Sequence, residues 1–543
     1  MDRNFFIALG IALVVYVGYM SFFTPKTDQV PLKPVAAATA TATTAAQVSI
    51  QEVTPQTEAV KMVSPTQIQQ ESLFTVQTKN ADIVLSNKGA AIKNFVFKDV
   101  IAPVNLTPYK GPGFFSTFDD LYFAKADSSA DMAFKATLAP GVDVYKEYNF
   151  SKDGKIGNVS LKIVNTTPND INVSGLHYNF GPGLATVKSE EGDNPANWNA
   201  VCLIQEQGKK KPTVNNITEK EMKDPRKLQD ACADWHWAGI SNRYFLVALV
   251  PQNWKTKAEQ LSFSKQYVYD KSSFFGLFGT RQIFGPQLSV ALPGVIPAGK
   301  EVIYNADFYF GPKDYDKFVS MPYNLERSIQ FGFFGQLGKM AHSLLEWLYG
   351  MTKNYGTAII LMTVLIQLVL FPLTYKQLKS SAVMQRIQPE MKRIQEKYKE
   401  DPAMQQREML GLYKKYGANP LSGCLPLFIQ FPIFLALFNA LRTSWSLHGA
   451  PFMWWIHDLS AKDPYYVLPV AMGVMMYIQQ KLTMPDMGKD NPSMVMMKWM
   501  PVFMTVLFLN FPAGLTLYWF VSNCISFAIN LILKRKMKTL GEI

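Results

Sequence analysis

From residue 355 onward, apolar stretches long enough to cross a bilayer follow one another closely, and this constrains the chain more than any other feature. The first, Tyr355 to Leu373, reads YGTAIILMTVLIQLVLFPL and holds no Asp, Glu, Lys or Arg. At about 1.5 Å of rise per residue, roughly 20 apolar residues in a helix cover the ~30 Å hydrocarbon core of a membrane. Comparable runs cover 421–441, with Pro426 and Pro432 inside it, then 465–482, 494–511 and 515–533. Pro512-Ala513-Gly514 separates the last two and predicts a tight hairpin. At the other end, Phe5 to Phe23 is a further apolar run, followed by Thr24-Pro25-Lys26 rather than by a small-residue cleavage site. It reads as a retained anchor and not as a secretory signal. The expectation is six spans.

Lysine and arginine in the connections set the orientation. The segment 374–419 holds ten of them, among them Lys392, Arg393, Lys397, Lys414 and Lys415, and the tail has Lys534, Arg535, Lys536 and Lys538. Both should be cytoplasmic. The connections 446–464 and 512–514 are poor in Lys and Arg and should face the other side. Six spans satisfy this alternation with both termini inside and the region between the first two spans outside. Within 374–419, Asp401-Pro402 predicts a helix start and Gly417 a helix end, which together with the run after Pro389 makes a cytoplasmic helical hairpin. Its cations suit anionic lipid headgroups, each gaining about 1 kcal/mol, and ribosomal RNA as a second neighbour. The net charge of +12 has the same two readings, and no DNA partner is expected.

The chain between the anchor and residue 323 follows another pattern. Residues 25–70 are rich in Ala, Thr, Gln, Pro and Val without amphipathic period, and read as a flexible tether. From about 72, short alternating runs bounded by turn residues recur, such as ADIVLSNKG, VSLKIVN, RYFLVALVP and EVIYNADFYFGP. Period-two alternation of this kind predicts antiparallel strands, and about 250 residues of it a large β-sandwich. The more polar stretch 190–234, with Lys209-Lys210-Lys211, reads as a loop or short helical insertion. Cys202 and Cys232 fall in this exported region, where a disulfide is permitted by compartment though not dictated by the sequence. From Asn324 to Tyr349, Phe334, Leu337, Met340, Leu344, Leu345 and Leu348 recur at helical spacing among polar residues, which predicts an amphipathic helix in the membrane interface.

No nucleotide, phosphate-loop or HExxH motif is present, no Cys/His spacing suggests a zinc site, and the cores of the spans hold no Asp, Glu or His. A proton-coupled transporter needs such groups. A sugar enzyme on an anchor would need converging carboxylates, and Glu190, Glu191 and Asp193 read only as part of a loop. No cofactor, metal or catalytic residue is expected, His457-Asp458 included. The spans do contain neutral polar side chains: Thr363, Gln367, Gln430, Gln479, Gln480, Thr505, Ser522, Asn523, Ser526 and Asn530. Gln367 falls roughly 10 Å and Gln430 roughly 15 Å from the inner surface by helix rise. Such amides either bond to one another across helices or line a wet cavity open to the cytoplasm. Arg442 should snorkel at the outer interface.

The residues NYGTAIILMTVLIQLVLFPLT, ANPLSGCLPLFIQFPIFLALFNAL, APFMWWIHDLSAKDPYYVLP and FPAGLTLYWFVSN resemble the YidC/Oxa insertase family, in the long form of Gram-negative bacteria. The resemblance implies a polytopic α-helical inner-membrane protein with six spans, five of them an insertase core, and a large periplasmic β-supersandwich. It implies a non-enzymatic insertase and chaperone, working alone or with the Sec translocon, with nascent membrane-protein clients, the translating ribosome and anionic lipids as partners. The family's core encloses a polar groove open to cytoplasm and lipid. Thr363 matches a groove-lining threonine and Tyr518 an aromatic that contacts clients, whereas Gln367 stands where the family has a groove arginine. The groove expected here comprises Thr363, Gln367, Gln430, Thr505, Tyr518, Ser522 and Asn523, with Phe431, Phe434 and Met472 as client-facing apolar residues. The expected division is 1–24 anchor, 25–70 linker, 71–322 β domain, 323–350 interfacial helix, 351–373 second span and 374–419 hairpin. It continues as 420–445 third span, 446–464 periplasmic loop, 465–483 fourth span, 484–493 cytoplasmic loop, 494–511 fifth span, 512–533 sixth span and 534–543 tail.

Overall fold

The structure, a computed structural model, describes residues 58–59, 70–99, 101–192, 194–206, 211–217, 224–272, 280–417, 425–483 and 492–539. The N-terminal apolar run, most of the Ala/Thr-rich stretch, Lys209, Lys210 and Cys424 lie outside these residues.

The alternating segments form strands. In chain order these are β1 (Leu73–Gln77), β2 (Ala81–Ser86), β3 (Ala91–Phe97), β4 (Val104–Asn105), β5 (Ala124–Lys125), β6 (Met132–Ala139), β7 (Val142–Phe150) and β8 (Ile156–Asn165). There follow β9 (His177–Phe180), β10 (Asn199–Ile204), β11 (Thr213–Ile217), β12 (Trp237–Ser241), β13 (Phe245–Pro251), β14 (Leu261–Ser272), β15 (Thr280–Ala291) and β16 (Glu301–Pro312). Nine of them make one antiparallel sheet in the order β11-β10-β12-β13-β16-β8-β7-β6-β5, while β1 to β4 form a meander and β9-β15-β14 a third sheet. Along β8 every second side chain is buried, the physical form of the period-two pattern. The sheets enclose one core in which Phe95, Phe115, Phe134, Tyr178, Phe180, Phe308 and Phe310 meet. Phe95 stacks on Phe310 with ring centroids 4.1 Å apart, a contact adding about 0.5–1.5 kcal/mol to the burial of both rings. Gly239 on β12 is obligatory, because a Cβ there would lie 1.9 Å from the Val247 carbonyl oxygen of β13.

The stretch 190–234 departs from the expected loop or insertion. It supplies β10 and β11 to the large sheet, then helix α1 (Pro225–Cys232). β10 reads NAVCLI and is buried on both faces, so it shows no alternation, while β11 (TVNNI) is a polar edge strand. A disulfide joins Cys202 on β10 to Cys232 at the end of α1.

Helix α2 (Tyr315–Ser320) leaves the large sheet, and helix α3 (Gly335–Thr352) follows. The amphipathic helix therefore begins at Gly335 and not near Asn324. The intervening residues Leu325, Ile329 and Phe331 pack on Trp237, Leu246 and Tyr309 of the sheet. Helix α3 is apolar on two faces. Leu345 and Leu348 are buried, whereas Leu337, Met340, Trp347 and Met351 are exposed.

The helical unit continues with α4 (Tyr355–Lys397), α5 (Pro402–Tyr416), α6 (Leu425–Thr443), α7 (Val467–Thr483), α8 (Pro492–Phe508) and α9 (Ala513–Thr539). The first helix of the hairpin, expected to start at Pro389, is instead the continuation of α4, which runs through Pro372 and Pro389 without a break. Ile387, Met391 and Leu412 close α4 onto α5, and Tyr416 Oη donates to Glu390 Oε1 at 2.6 Å. Asp401 caps α5 by accepting from the Ala403 and Met404 amides, and Gly417 ends it with φ 60°. Among the described residues, two helices, Tyr355–Lys376 and Ala513–Leu533, are long and apolar enough to cross a membrane. Helix α9 is the central one, packing on α4, α6 and α7, while α3 lies across α4 and α6.

Candidate functional site

The polar side chains of the helical unit converge on α9 from two sides. Gln367 of α4 is 7% exposed, and its Nε2 donates to Ser522 Oγ of α9 at 2.6 Å. Gln430 of α6 donates from Nε2 to Tyr518 Oη, one turn earlier on α9, at 3.1 Å. Ser522 and Tyr518 are four residues apart and so lie on one face of the helix. Amides in an apolar helix bundle are costly unless paired, and each of these is paired across helices. Of the two readings open at the sequence level, the geometry here is that of cross-helix bonding.

The other candidates are placed differently. Thr363 is fully buried, and its hydroxyl donates to the Ile359 carbonyl of its own helix at 2.7 Å. Asn523 donates to the Trp519 carbonyl at 2.8 Å, again within α9. Thr505 belongs to the α7–α8 contact: its hydroxyl bonds the Pro501 carbonyl at 2.8 Å, and a Cβ on Gly473 would lie 1.9 Å from Thr505 Oγ1. Phe434 and Met472 are buried, Phe434 against Phe508 and Trp519, so both act in packing. Phe431 is 43% exposed on α6. Of the hairpin cations, Arg393, Lys397, Lys414 and Lys415 are exposed and Lys392 half-buried. Arg442 lies over the Phe438 ring at 5.6 Å, with its backbone carbonyl engaged elsewhere.

That engagement is part of a junction that sequence reasoning missed. Arg243 Nε, from the β12–β13 turn, donates to the Arg442 carbonyl at 2.8 Å, and its guanidinium pairs with buried Glu190. His448 Nε2 meets Asp99 Oδ2 at 2.6 Å, and the His448 ring stacks on Trp445. Trp445 in turn contacts Phe97, Tyr244 and Phe245 of the β domain. Asp458 faces His448 at 3.7 Å and accepts from Ser460 Oγ at 2.7 Å, so it organises this loop and forms no pair with His457 that the structure records. Nearby, Lys313 is sealed in the β domain with Nζ 3.2 Å from Ser241 Oγ; desolvation, with the Arg243 charge adding to it, pushes its pKa down to about 7. The only sequence signal for the junction was the unusual concentration of aromatic and ionisable residues in 444–463.

The α7 end of that loop is fixed by Asp463, 1% exposed, which accepts from the Leu468 amide at 2.7 Å and from Trp455 Nε1 at 3.0 Å. The other end of the unit begins at Asn354, whose side chain caps α4 at the Thr357 amide and donates to the Phe452 carbonyl. The β domain and the loop 444–463 therefore meet at the α4 start, and the α4–α5 hairpin lies at the far end of α4.

Comparison with known proteins covers both units. The family model described as 60Kd inner membrane protein matches residues 347–540, and the one described as YidC periplasmic domain matches residues 101–344. The protein named membrane protein insertase YidC from Syntrophus aciditrophicus is 33% identical over 570 residues, covering 97% of this chain and 98% of its own length. Its namesake from Geobacter sulfurreducens is 32% identical over 565 residues, covering 99% of each. A solved structure described as an active YidC insertase with the first transmembrane domain resolved is 19% identical, covers 87% of this chain and 94% of its own, and gives a TM-score of 0.37.

Proposed function

The chain belongs to the YidC family of membrane protein insertases, and on that premise we propose that it carries apolar segments of other proteins into the bacterial inner membrane and helps them fold there. It does so alone or beside the Sec translocon, on clients delivered by a translating ribosome. The relatives are named for insertion, which makes and breaks no covalent bond, and no catalytic residue is proposed.

The observation that carries this reading is the polar seam on α9. Gln367–Ser522 and Gln430–Tyr518 place exchangeable hydrogen bonds inside an apolar bundle. A client's short polar tail can take over these bonds while its apolar segment passes along the exposed side chains of α4, where Leu368 is 63% and Val369 77% exposed. The expected division of the chain stands within this proposal: six spans, the cytoplasmic hairpin 374–419 with Lys392, Arg393, Lys397, Lys414 and Lys415 against anionic lipid or ribosomal RNA, and the β domain outside. The contact of the β domain with the loop 444–463 supports placing both on one side of the membrane. Thr363, Thr505 and Asn523 serve as further polar positions along the client's path.

Insertion of a short single-span client into liposomes holding the purified protein tests the proposal, read by protease protection of the translocated tail against empty liposomes. Protection that depends on the protein is expected for neutral-tailed and acidic-tailed clients alike, because Gln367 bonds without carrying charge. Q367R should favour acidic-tailed clients. Absence of protection for both clients would refute autonomous insertion.

A further inference from the structure

We infer that Asp316, His342 and Glu346 form a binding site for a divalent transition-metal ion, with zinc as its probe, at the seam between the β domain and α3. His342 and Glu346 are four residues apart on α3 and so project from one face. Asp316 comes from α2, the last helix of the β domain before the crossing. One donor atom from each of the three lies within 4.8 Å of the others.

Proximity alone would not make a site. His342 is 4% exposed, and its Nε2 is sealed from solvent with no hydrogen-bond partner. The Asp316 carboxylate is 3.8 Å from it, beyond hydrogen-bond reach. Glu346 Oε1 is a second sealed oxygen without a partner. Two sealed polar atoms without partners in one such cluster are unfavourable unless something pairs with them. The surroundings also hold the donors in place. Tyr355 Oη donates to the other Glu346 oxygen, Oε2, at 2.9 Å, and the Tyr315 ring stands edge-on to His342 at 5.1 Å. Such support from outside the ligand set is what orients metal ligands.

The donor set selects the ion. One imidazole nitrogen and two carboxylates suit zinc or a neighbouring transition metal, with a fourth position left to water. Calcium calls for more oxygens than two carboxylates supply, and magnesium, a hard ion that takes oxygen ligands, has little use for the imidazole. Asp316 is exposed, so an ion enters from its side, to donor atoms that all lie within 4.8 Å of one another. Once bound, the ion ties α2 to α3 and, through Glu346 and Tyr355, to the start of α4. It is a clamp between the β domain and the helical unit, separate from the polar seam on α9.

The full-length protein in detergent, stripped with chelator, is titrated with zinc chloride by calorimetry beside H342A and D316N. Wild type should bind one equivalent that H342A lacks, with an affinity at least about tenfold above that of D316N, and zinc should raise the Tm of wild type most and that of H342A not at all. Equal stoichiometry and affinity in wild type and H342A would overturn the site. Loss in H342A with no change in D316N would overturn the clamp, since the ion would then not reach α2. If H342A does not fold, D316N, altered at an exposed side chain, decides the matter by the same two readouts.

Discussion

The β domain and the helical unit are built from inside-out versions of one rule. In the β domain large aromatics such as Phe95, Phe115, Phe134 and Phe180 are buried, and a buried cation such as Lys146 is bonded to the Gly89 and Phe115 carbonyls and Thr117 Oγ1. In the helical unit the exposed surface is apolar: Leu368, Val369, Trp499, Val506 and Ile532 are all more than half exposed. Its polar side chains Thr363, Gln367, Thr516 and Ser522 are buried instead. Water rewards the first arrangement and lipid tolerates the second, because only in lipid is an exposed Leu row free of cost. The contrast locates the membrane without reference to charge, and it makes the buried amides the chemically distinctive feature of the helical unit.

The contrast can be broken or sharpened by substitution. Phe310→Ala should have the largest effect, about 3–5 kcal/mol of β-domain stability, seen in thermal unfolding, since it empties the stacked centre of the core. Leu368→Asp should cost about 2.5–3.5 kcal/mol of membrane integration, measured by carbonate extraction. The same change at Leu73 of β1, similarly exposed at 58%, should stay within about 0.5 kcal/mol. Equal effects at the two positions would abolish the distinction.

Lys313→Met should stabilise the protein near pH 7. The folded pKa, about 7, is below the ordinary 10.5, so between these values the unfolded chain holds more protons and wild-type stability rises with pH. The variant should be the more stable protein at pH 7 and show a flatter Tm profile from pH 7 to 10. Apart from the Leu73 control, the smallest effect belongs to Ser522→Ala, about 0.6 kcal/mol in detergent unfolding, the usual worth of one hydrogen bond between membrane helices.

Much of the fold was legible because periodicity is local. The strands β2, β8, β13 and β16 follow from alternation or short apolar runs, and α5 from Asp401-Pro402 and Gly417. β10 was not legible because a strand buried on both faces loses its alternation. The separate helix expected from Pro389 proved to be part of α4, because a change from apolar to basic residues marks a change of solvent and not the end of a helix. The polar side chains were legible as residue types but not as pairs. Gln367 and Ser522 are 155 residues apart, and only the packing of α4 on α9 joins them. Asp316, His342 and Glu346 escaped notice for a similar reason: His342 and Glu346 alone are half a ligand set, and Asp316 belongs to the other unit.

The polar seam is tested most directly by photocrosslinking. A photoreactive amino acid is placed at 430, 523 or, as controls, at exposed Trp499 and Leu73, and a client is stalled during insertion. The account predicts that the client's polar tail crosslinks to 430 and 523 and to neither control. Crosslinks from the tail that are equally strong at Trp499, or absent from 430 and 523, would contradict it.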